Sequence, residues 1–341
     1  MGTAAFDRLY GFILGYQATW VVDIGLRAGL FGGLTEAARP RTSDDLADLL
    51  GFDRRLTGVW CRAAYAYGVL DLEPDGTYRL ADGYAAVLLD PGSTEYLGGR
   101  IPFIAALYED FHAFPELLRS GRSWPRSEHD PWLLAALANL TRPDAAMLTG
   151  RALPNAPTAV AALEAGGDIL ELGSGAGHHL VHYARTFPEA RIVGVEPDGP
   201  SLALAAAAIA EAAVGDRVTL RQADANELQD RAAYDLVVMS ITLHETGGEA
   251  AWANVLSRVH RALRPGGTIL VSELPYPDEI GEYRSEPIYQ MLAGVQLHEA
   301  VVGCGMITQG ELADLLRTAG FHDVRVVDQP MRTRHVMLGE R

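Results

Sequence analysis

The sequence predicts a doubly wound α/β domain over its second half, preceded by a mainly α-helical unit, and three observations carry that expectation. The first is Asp168-Ile-Leu-Glu-Leu-Gly-Ser-Gly-Ala-Gly177, a short apolar run that ends in glycines at 173, 175 and 177. Glycine at such places lets the backbone turn sharply and lets a ligand approach it closely. The second is the stretch from His178 to Phe187, which sets Leu180, Val181, Ala184 and Phe187 on one helical face, so that strand, turn and helix come in order. The third is repetition: apolar runs at 191–195, 217–221 and 234–240 alternate with helices expected over 201–213 and 250–263. Alternation of this kind builds a parallel sheet with helices on its faces.

Each run delivers polar groups at its carboxyl end, the edge where open parallel sheets bind ligands. Glu196 and Pro197 follow the second run, Ala223-Asp224-Ala225 the third, and Ser240 and His244 the fourth. A dinucleotide fingerprint needs a third glycine where this chain has His178, and a Walker loop needs a Gly-Lys-Ser/Thr that is missing here. A carboxylate at the position of Glu196 can accept both hydroxyls of a ribose.

In combination, these pieces resemble a class I S-adenosylmethionine-dependent methyltransferase from about residue 166 to the end. The matching residues are Glu171-Leu-Gly-Ser-Gly-Ala-Gly177, Glu196 with Pro197, Asp224 between two alanines, and Leu263-Arg-Pro-Gly-Gly267 leading into Thr268-Ile-Leu-Val-Ser-Glu273. The resemblance implies a Rossmann-like fold with S-adenosyl-L-methionine as methyl donor. It places the methionine part on the loop of Glu171, Gly173, Ser174, Gly175 and Gly177, the ribose on Glu196, and the adenine near Asp224 and Ala225, with Ser240 lining the same edge.

Bulk properties fit an enzyme of the cytoplasm. With 341 residues, 48% of them hydrophobic, the chain can build two domains with sizeable cores, and no apolar run is long enough to cross a membrane. The N-terminus lacks a basic region followed by an apolar stretch, so no signal peptide is expected. Cys61 and Cys304 are the only cysteines and give no disulfide framework. A formal charge of −16, without clustered Lys and Arg, argues against nucleic acid as a partner.

Three segments are expected: 1–95, 96–150 and 151–341. In the first, an apolar helix over 6–30 carries Phe6, Tyr10, Phe12, Tyr16 and Trp20. A capped helix follows over 42–50, then one over 56–70, then an Asp75-Gly76 hairpin, which together make a winged-helix pattern. The would-be recognition helix offers only Arg54, Arg55 and Arg62 against an acidic background. In the family that the chain resembles, this unit forms a homodimer, and the apolar first helix agrees with that role. The linking segment 96–150 holds Tyr108, Phe111, Phe114, Trp124 and Trp132, candidate walls of a small-molecule pocket for which plain packing is the commoner role, and Arg119, Arg122 and Arg126, of which a fork could hold a substrate carboxylate.

Chemistry turns on Leu243-His244-Glu245 and Leu297-His298-Glu299. An imidazole at His244 can take a phenol proton at working pH, as in related O-methyltransferases, with Glu245 standing where their histidine is followed by Asp. The pair His244 and His298 also resembles the α-keto acid C-methyltransferases, in which two histidines hold a metal. That resemblance implies Zn²⁺ or Fe on His244 and His298, a metal-stabilised enolate of a 2-oxo acid, and Arg126 as the carboxylate anchor. Glu245 and Glu299 are then partners of the ligating histidines, a third ligand or surface groups. His178 and His182, one helical turn apart, read as solvated helix residues, and Cys304 as a pocket or buried thiol. C-methylation of a 2-oxo acid is the leading expectation, and metal-free O-methylation of a phenol or polyketide with His244 as base is the alternative.

Overall fold

Residues 3–36, 39–93, 95–124, 128–328 and 331–341 are described by a computed structural model. Contacts divide the chain into two units, one of Met1–Tyr108 with Ala135–Pro143, the other of Glu109–Leu134 with Asp144–Arg341. The stretch 96–150 is therefore shared between them.

Helix α1 (Ala4–Arg27) opens the first unit, its amino end capped by Thr3 Oγ1, which accepts from the Phe6 amide. It stops three residues short of the expected Leu30 because Gly29 takes the left-handed conformation and starts the short α2 (Leu30–Thr35). Next come α3 (Ser43–Leu50), capped by Thr42 and ended by Gly51, and α4 (Arg54–Ala66). The second of these also ends earlier than expected, since Gly68 turns left-handed and Leu70 already belongs to a strand. Strands β1 (Leu70–Leu72) and β2 (Tyr78–Leu80) pair antiparallel around Asp75-Gly76, and α5 (Tyr84–Leu88) and α6 (Arg100–Ala106) complete the unit. Phe31, Leu46, Trp60, Cys61 and Leu70 form its core. Gly25 makes that core possible, because a Cβ there would lie 2.5 Å from the Phe31 ring and 2.7 Å from that of Trp60. Cys61 is sealed in, and burial pushes its thiol up to about 11.

The second unit begins with α7 (Tyr108–Ser120) and the first turn of α8 (Pro131–Thr141), whose residues from 135 on belong to the first unit, and α9 (Asp144–Met147) and α10 (Pro157–Glu164) lead to the sheet. Its parallel strands are β3 (Asp168–Leu172), β4 (Arg191–Glu196), β5 (Val218–Gln222), β6 (Tyr234–Ser240) and β7 (Leu263–Glu273). β8 (His322–Val326) and β9 (His335–Glu340) close the far edge antiparallel, giving the order β5-β4-β3-β6-β7-β9-β8. Between strands run α11 (His178–Thr186), α12 (Gly199–Glu211), α13 (Glu249–Ala262), α14 (Pro287–Val302) and α15 (Gln309–Thr318).

Both faces of the sheet are covered, which explains strands that read as continuous apolar runs. Along β6, Leu236 and Val238 enter one cluster with Leu180 and Tyr183, while Val237 and Met239 enter the other with Trp252, Leu256 and Leu316. The chain leaves β3 outward through β4 to β5, then returns to the opposite side of β3 with β6 and β7. The strand order thus reverses between β3 and β6, and the crevice beyond their carboxyl ends is where such sheets bind ligands.

Candidate active site

The glycine turn after β3 is shaped by what lies against it. Gly173, at φ +73°, passes so near the end of β6 that a Cβ would fall 2.3 Å from Thr242 Oγ1. Gly177, at φ +76°, caps α11 with no room for a Cβ beside Ala205. The amides of Gly173 and Ser174 both donate to the Val195 carbonyl, so turn and β4 end are held together. Glu196 completes this edge: its Oε2 accepts from the Gly175 amide at 2.9 Å and its Oε1 from the Asp198 amide at 3.0 Å. Burial raises the Glu196 carboxyl above its ordinary value, and those two amides oppose the rise.

The other predicted donor-site residues lie along the same edge. Asp224 is exposed at its rim and accepts from the amide and side chain of Asn226, with Ala225 buried behind it. The Pro197 carbonyl accepts from Gln222. Glu171, Ser174 and Ser240 are buried, and Glu171 Oε2, Ser174 Oγ and Ser240 Oγ have no hydrogen-bond partner among the described residues. Buried polar atoms rarely stay unmatched. A ligand with amino, carboxylate and hydroxyl groups would match them. The other oxygen of Glu171 meets His179 Nδ1 at 2.7 Å. That histidine carried no sequence expectation, whereas His182, expected in solvent, is half-buried and bonded to Thr149 Oγ1 at 2.8 Å.

Beyond β6, Ile241 is held at φ +53°, a costly conformation for a β-branched residue, of order 1–3 kcal/mol. The turn delivers His244 into a buried position. Its Nδ1 lies 2.7 Å from Glu273 Oε2, while Glu273 Oε1 accepts from the amides of Leu243 and His244 at 2.9 and 3.3 Å. The orienting partner is thus Glu273 and not Glu245, whose Oε1 stands 3.8 Å from Nε2 on the other side of the ring. Register explains it: β6 and β7 align Ser240 with Ser272, so the residue after Ser272 reaches the turn after Ser240. Glu299 Oε2 approaches Nε2 at 3.6 Å from α14. Burial works against a charged His244, but Glu273 and Glu299 outweigh it and raise the imidazole well above its ordinary value. Tyr276 is buried nearby, its hydroxyl pushed up by burial and then by Glu299.

His298 is fully buried on α14, its Nδ1 2.6 Å from Asp110 Oδ2. Asp110 and its second partner His129 had no signal in the sequence. Arg126 lies outside the described residues. Among those described, the only group of three or more His, Cys, Asp and Glu whose ligand atoms lie within 4.8 Å of one another is His322, Asp323 and Glu340, two of them exposed, on β8 and β9. His244 and His298 join no such group, so the expected Zn²⁺ or Fe finds no support in the donor geometry.

Residues 169–267 match the family model of a methyltransferase domain. A curated relative, trans-aconitate 2-methyltransferase of Streptomyces avermitilis, is 34% identical over 105 residues, which are 30% of this chain and 36% of that protein, so the match spans about a third of its length. Similar solved structures include an O-methyltransferase family protein from Burkholderia thailandensis, with a TM-score of 0.73 at 18% identity over 100% of this chain and 99% of that one. Human N-acetylserotonin methyltransferase in complex with SAM gives 0.74 at 18% over the same shares. Mitomycin 7-O-methyltransferase gives 0.71 at 20% over 99% and 98%. At such identities the likeness shows the fold, that of the methyltransferases named, and residues 169–267 are the part of the chain that resembles a methyltransferase domain in sequence as well.

Proposed function

We propose that this chain transfers a methyl group from S-adenosylmethionine to a hydroxyl of a small phenolic or polyketide acceptor, with His244 as general base. The observation that carries this reading is the His244 environment: Nδ1 tied to Glu273, which leaves Nε2 as the nitrogen that works on an acceptor. When bound, S-adenosylmethionine supplies an electrophilic methyl on sulfonium sulfur. Glu171, Ser174, Gly175, Glu196 and Asp224 are the residues that would hold it. His244 Nε2 takes the hydroxyl proton as the acceptor oxygen attacks, and Glu273 steadies the resulting imidazolium. Two of the similar structures bear names of O-methyltransferases, which supports the same reading.

The 2-oxo acid expectation draws no such support. The groups flanking His244 are the carboxylates Glu273, Glu299 and Glu245, poor company for an anionic acceptor, and His244 and His298 belong to no described ligand cluster. A panel of phenols and 2-oxo acids, with and without chelator, followed by S-adenosylhomocysteine release, tests the proposal. Phenol turnover undiminished by chelator is expected; turnover confined to 2-oxo acids and abolished by chelator would refute it.

The chain acts as a homodimer in this reading. Phe6, Phe12, Ile13 and Tyr16 on α1 are each more than half exposed, an unusual load of apolar surface for a helix in water. Light scattering is expected to give twice the 36.7 kDa of one chain, and a mass of 36.7 kDa would refute it.

A further inference from the structure

A further buried histidine stands beside Glu273. His335 opens β9, is 5% exposed, and neither of its ring nitrogens has a hydrogen-bond partner among the described residues. A neutral imidazole carries one N–H and one lone pair, and buried polar atoms of that kind are rarely left unmatched. Packing alone would be met by phenylalanine. Register gives the ring its neighbour, because β7 and β9 run antiparallel with Glu273 directly opposite His335. Residues so opposed project from the same face of a sheet, with Cβ atoms about 5 Å apart. The face is that of Val271 and Met337, which enter one cluster with Trp252. Arg334, one residue earlier, projects from the other face to Asp144, as alternation along a strand requires. Charge agrees with the register: burial holds the His335 imidazole below its ordinary value, and of the carboxylates that oppose this Glu273 comes first and the exposed Asp278 second.

Glu273 therefore has two imidazoles for neighbours. It is hydrogen-bonded to His244, whose charged form it favours against burial, and it stands beside His335, which burial keeps neutral. A neutral ring stabilises a carboxylate through its N–H dipole and does not compete for the proton that His244 takes. We infer that His335 is a positioning residue for methyl transfer, which shares Glu273 with His244 and limits how strongly that carboxylate holds a proton on the base. Between turnovers the base is thereby freed of its proton nearer neutral pH. The inference rests on the reading of His244 as base. The competing account is a histidine that only packs at the start of β9, whose loss lowers the melting temperature and leaves the titration of His244 where it was.

The test compares the native full chain with His335→Phe, which keeps a ring and removes both nitrogens, and with His335→Gln, which restores a donor and an acceptor. Each is labelled with ring-¹⁵N histidine and saturated with S-adenosylhomocysteine, the His244 signals being those lost in His244→Asn. His244 is expected to titrate about one pH unit higher in His335→Phe and within about 0.3 unit of native in His335→Gln. kcat/KM for phenol is expected to follow, about tenfold lower on its acid limb in His335→Phe and within about twofold on the plateau above it. The other titratable groups of the neighbourhood are the same in all three chains: Asp278, Tyr276 with Glu299, Tyr283 and Cys304 about it, and Glu245 at the far nitrogen of His244. A His244 titration that stays or falls in folded His335→Phe overturns the inference, and so does His335→Gln behaving like His335→Phe. Should His335→Phe not fold, His335→Leu replaces it with the same expectation. Should that fail too, the His335 ring is titrated in the native chain and in Glu273→Gln, where loss of the carboxylate is expected to lower it and an unmoved titration overturns the inference. If the native chain methylates no phenol, the O-methylation reading fails by itself, and the titration of His244 alone decides the inference.

Discussion

Exchanging Glu273 for Gln replaces one carboxylate oxygen by an amide nitrogen and leaves the shape nearly unchanged. The surroundings dictate which atom goes where. Oε1 of Glu273 accepts from the amides of Leu243 and His244, so the amide oxygen of Gln must occupy that side, since an NH2 group there would face two N–H donors. The NH2 group is left facing His244 Nδ1, which sits 2.7 Å from the present carboxylate oxygen. It can only donate, so the imidazole must accept at Nδ1 and carry its proton on Nε2, the nitrogen from which the base has to act. The same exchange beside the imidazole of a serine protease triad costs about 10⁴ in kcat. Here we expect a loss of about 10³ to 10⁴, or about 4–5 kcal/mol in the barrier. The assay is S-adenosylhomocysteine release with a phenol that the native chain methylates, alongside calorimetric binding of S-adenosylhomocysteine and circular dichroism. Glu245→Gln is the control, since Glu245 Oε1 lies 3.8 Å from Nε2 and makes no bond to Nδ1, and only a few-fold loss is expected from it. Glu273→Gln within tenfold of native, or Glu245→Gln falling as far, would refute the assignment.

The pH dependence follows from the same ring. Glu273 and Glu299 raise His244 against the effect of burial, so the neutral form needed to take a proton accumulates only above the ordinary histidine value of about 6.5. kcat/KM should therefore climb with pH on a limb above that value, and a limb at or below it would contradict the assignment. A raised folded-state value also means that this pair stabilises the native chain fully below about pH 6.5 and loses its effect as pH rises through the raised value. The gap in melting temperature between the native chain and Glu273→Gln is accordingly expected to be widest in mild acid and to narrow with rising pH. Gly173→Ala combines φ +73° with a Cβ 2.3 Å from Thr242 Oγ1 and should cost about 2 kcal/mol or more, seen as a drop of about 4–8 °C and weakened S-adenosylhomocysteine binding. Gly175→Ala, with φ +49° but nothing within 4 Å, should cost half of that or less; equal losses would show that strain alone matters. Arg334 and Asp144 are a buried pair with 2.7 Å between Nε and Oδ2. Arg334→Met should cost about 3–5 kcal/mol in urea unfolding, and adding Asp144→Leu should restore most of it. A double variant as weak as the sum of the two singles would count against that account.

What the sequence made legible was whatever one stretch of chain decides by itself. Strand, glycine turn and helix around 168–187 could be read because apolar period and glycine placement are local, and so could the polar groups ending β4 and β6. Helix ends were less legible: a single left-handed glycine, Gly29 or Gly68, cut α1 and α4 shorter than their apolar patterns imply. The partner of His244 stays open in the sequence, because nothing in one chain of letters gives the register of β6 against β7, and that register brings Glu273 to Nδ1. Yet Glu273 ends a strand, β7, as Glu196 and Ser240 end theirs, and that position is legible in the sequence. Asp110 and His129 were beyond reach, since their link to His298 spans 188 positions. At 178–182 nothing local sets His179 apart from His178 and His182, yet His179 is the histidine that meets Glu171.

The route of the chain bears on how such an enzyme could be altered. Residues 109–134 belong to the α/β unit although residues on either side of them, up to 108 and from 135 to 143, belong to the other. A fragment starting at 144 would keep the glycine turn, Glu196 and His244, yet would leave Asp110 and His129 behind. The partners of the buried His298 are thus written in a different stretch of the gene from the glycine turn, Glu196 and His244. Grafting 109–134 from a related chain would exchange the partners of His298 while leaving the glycine turn, Glu196 and His244 in place.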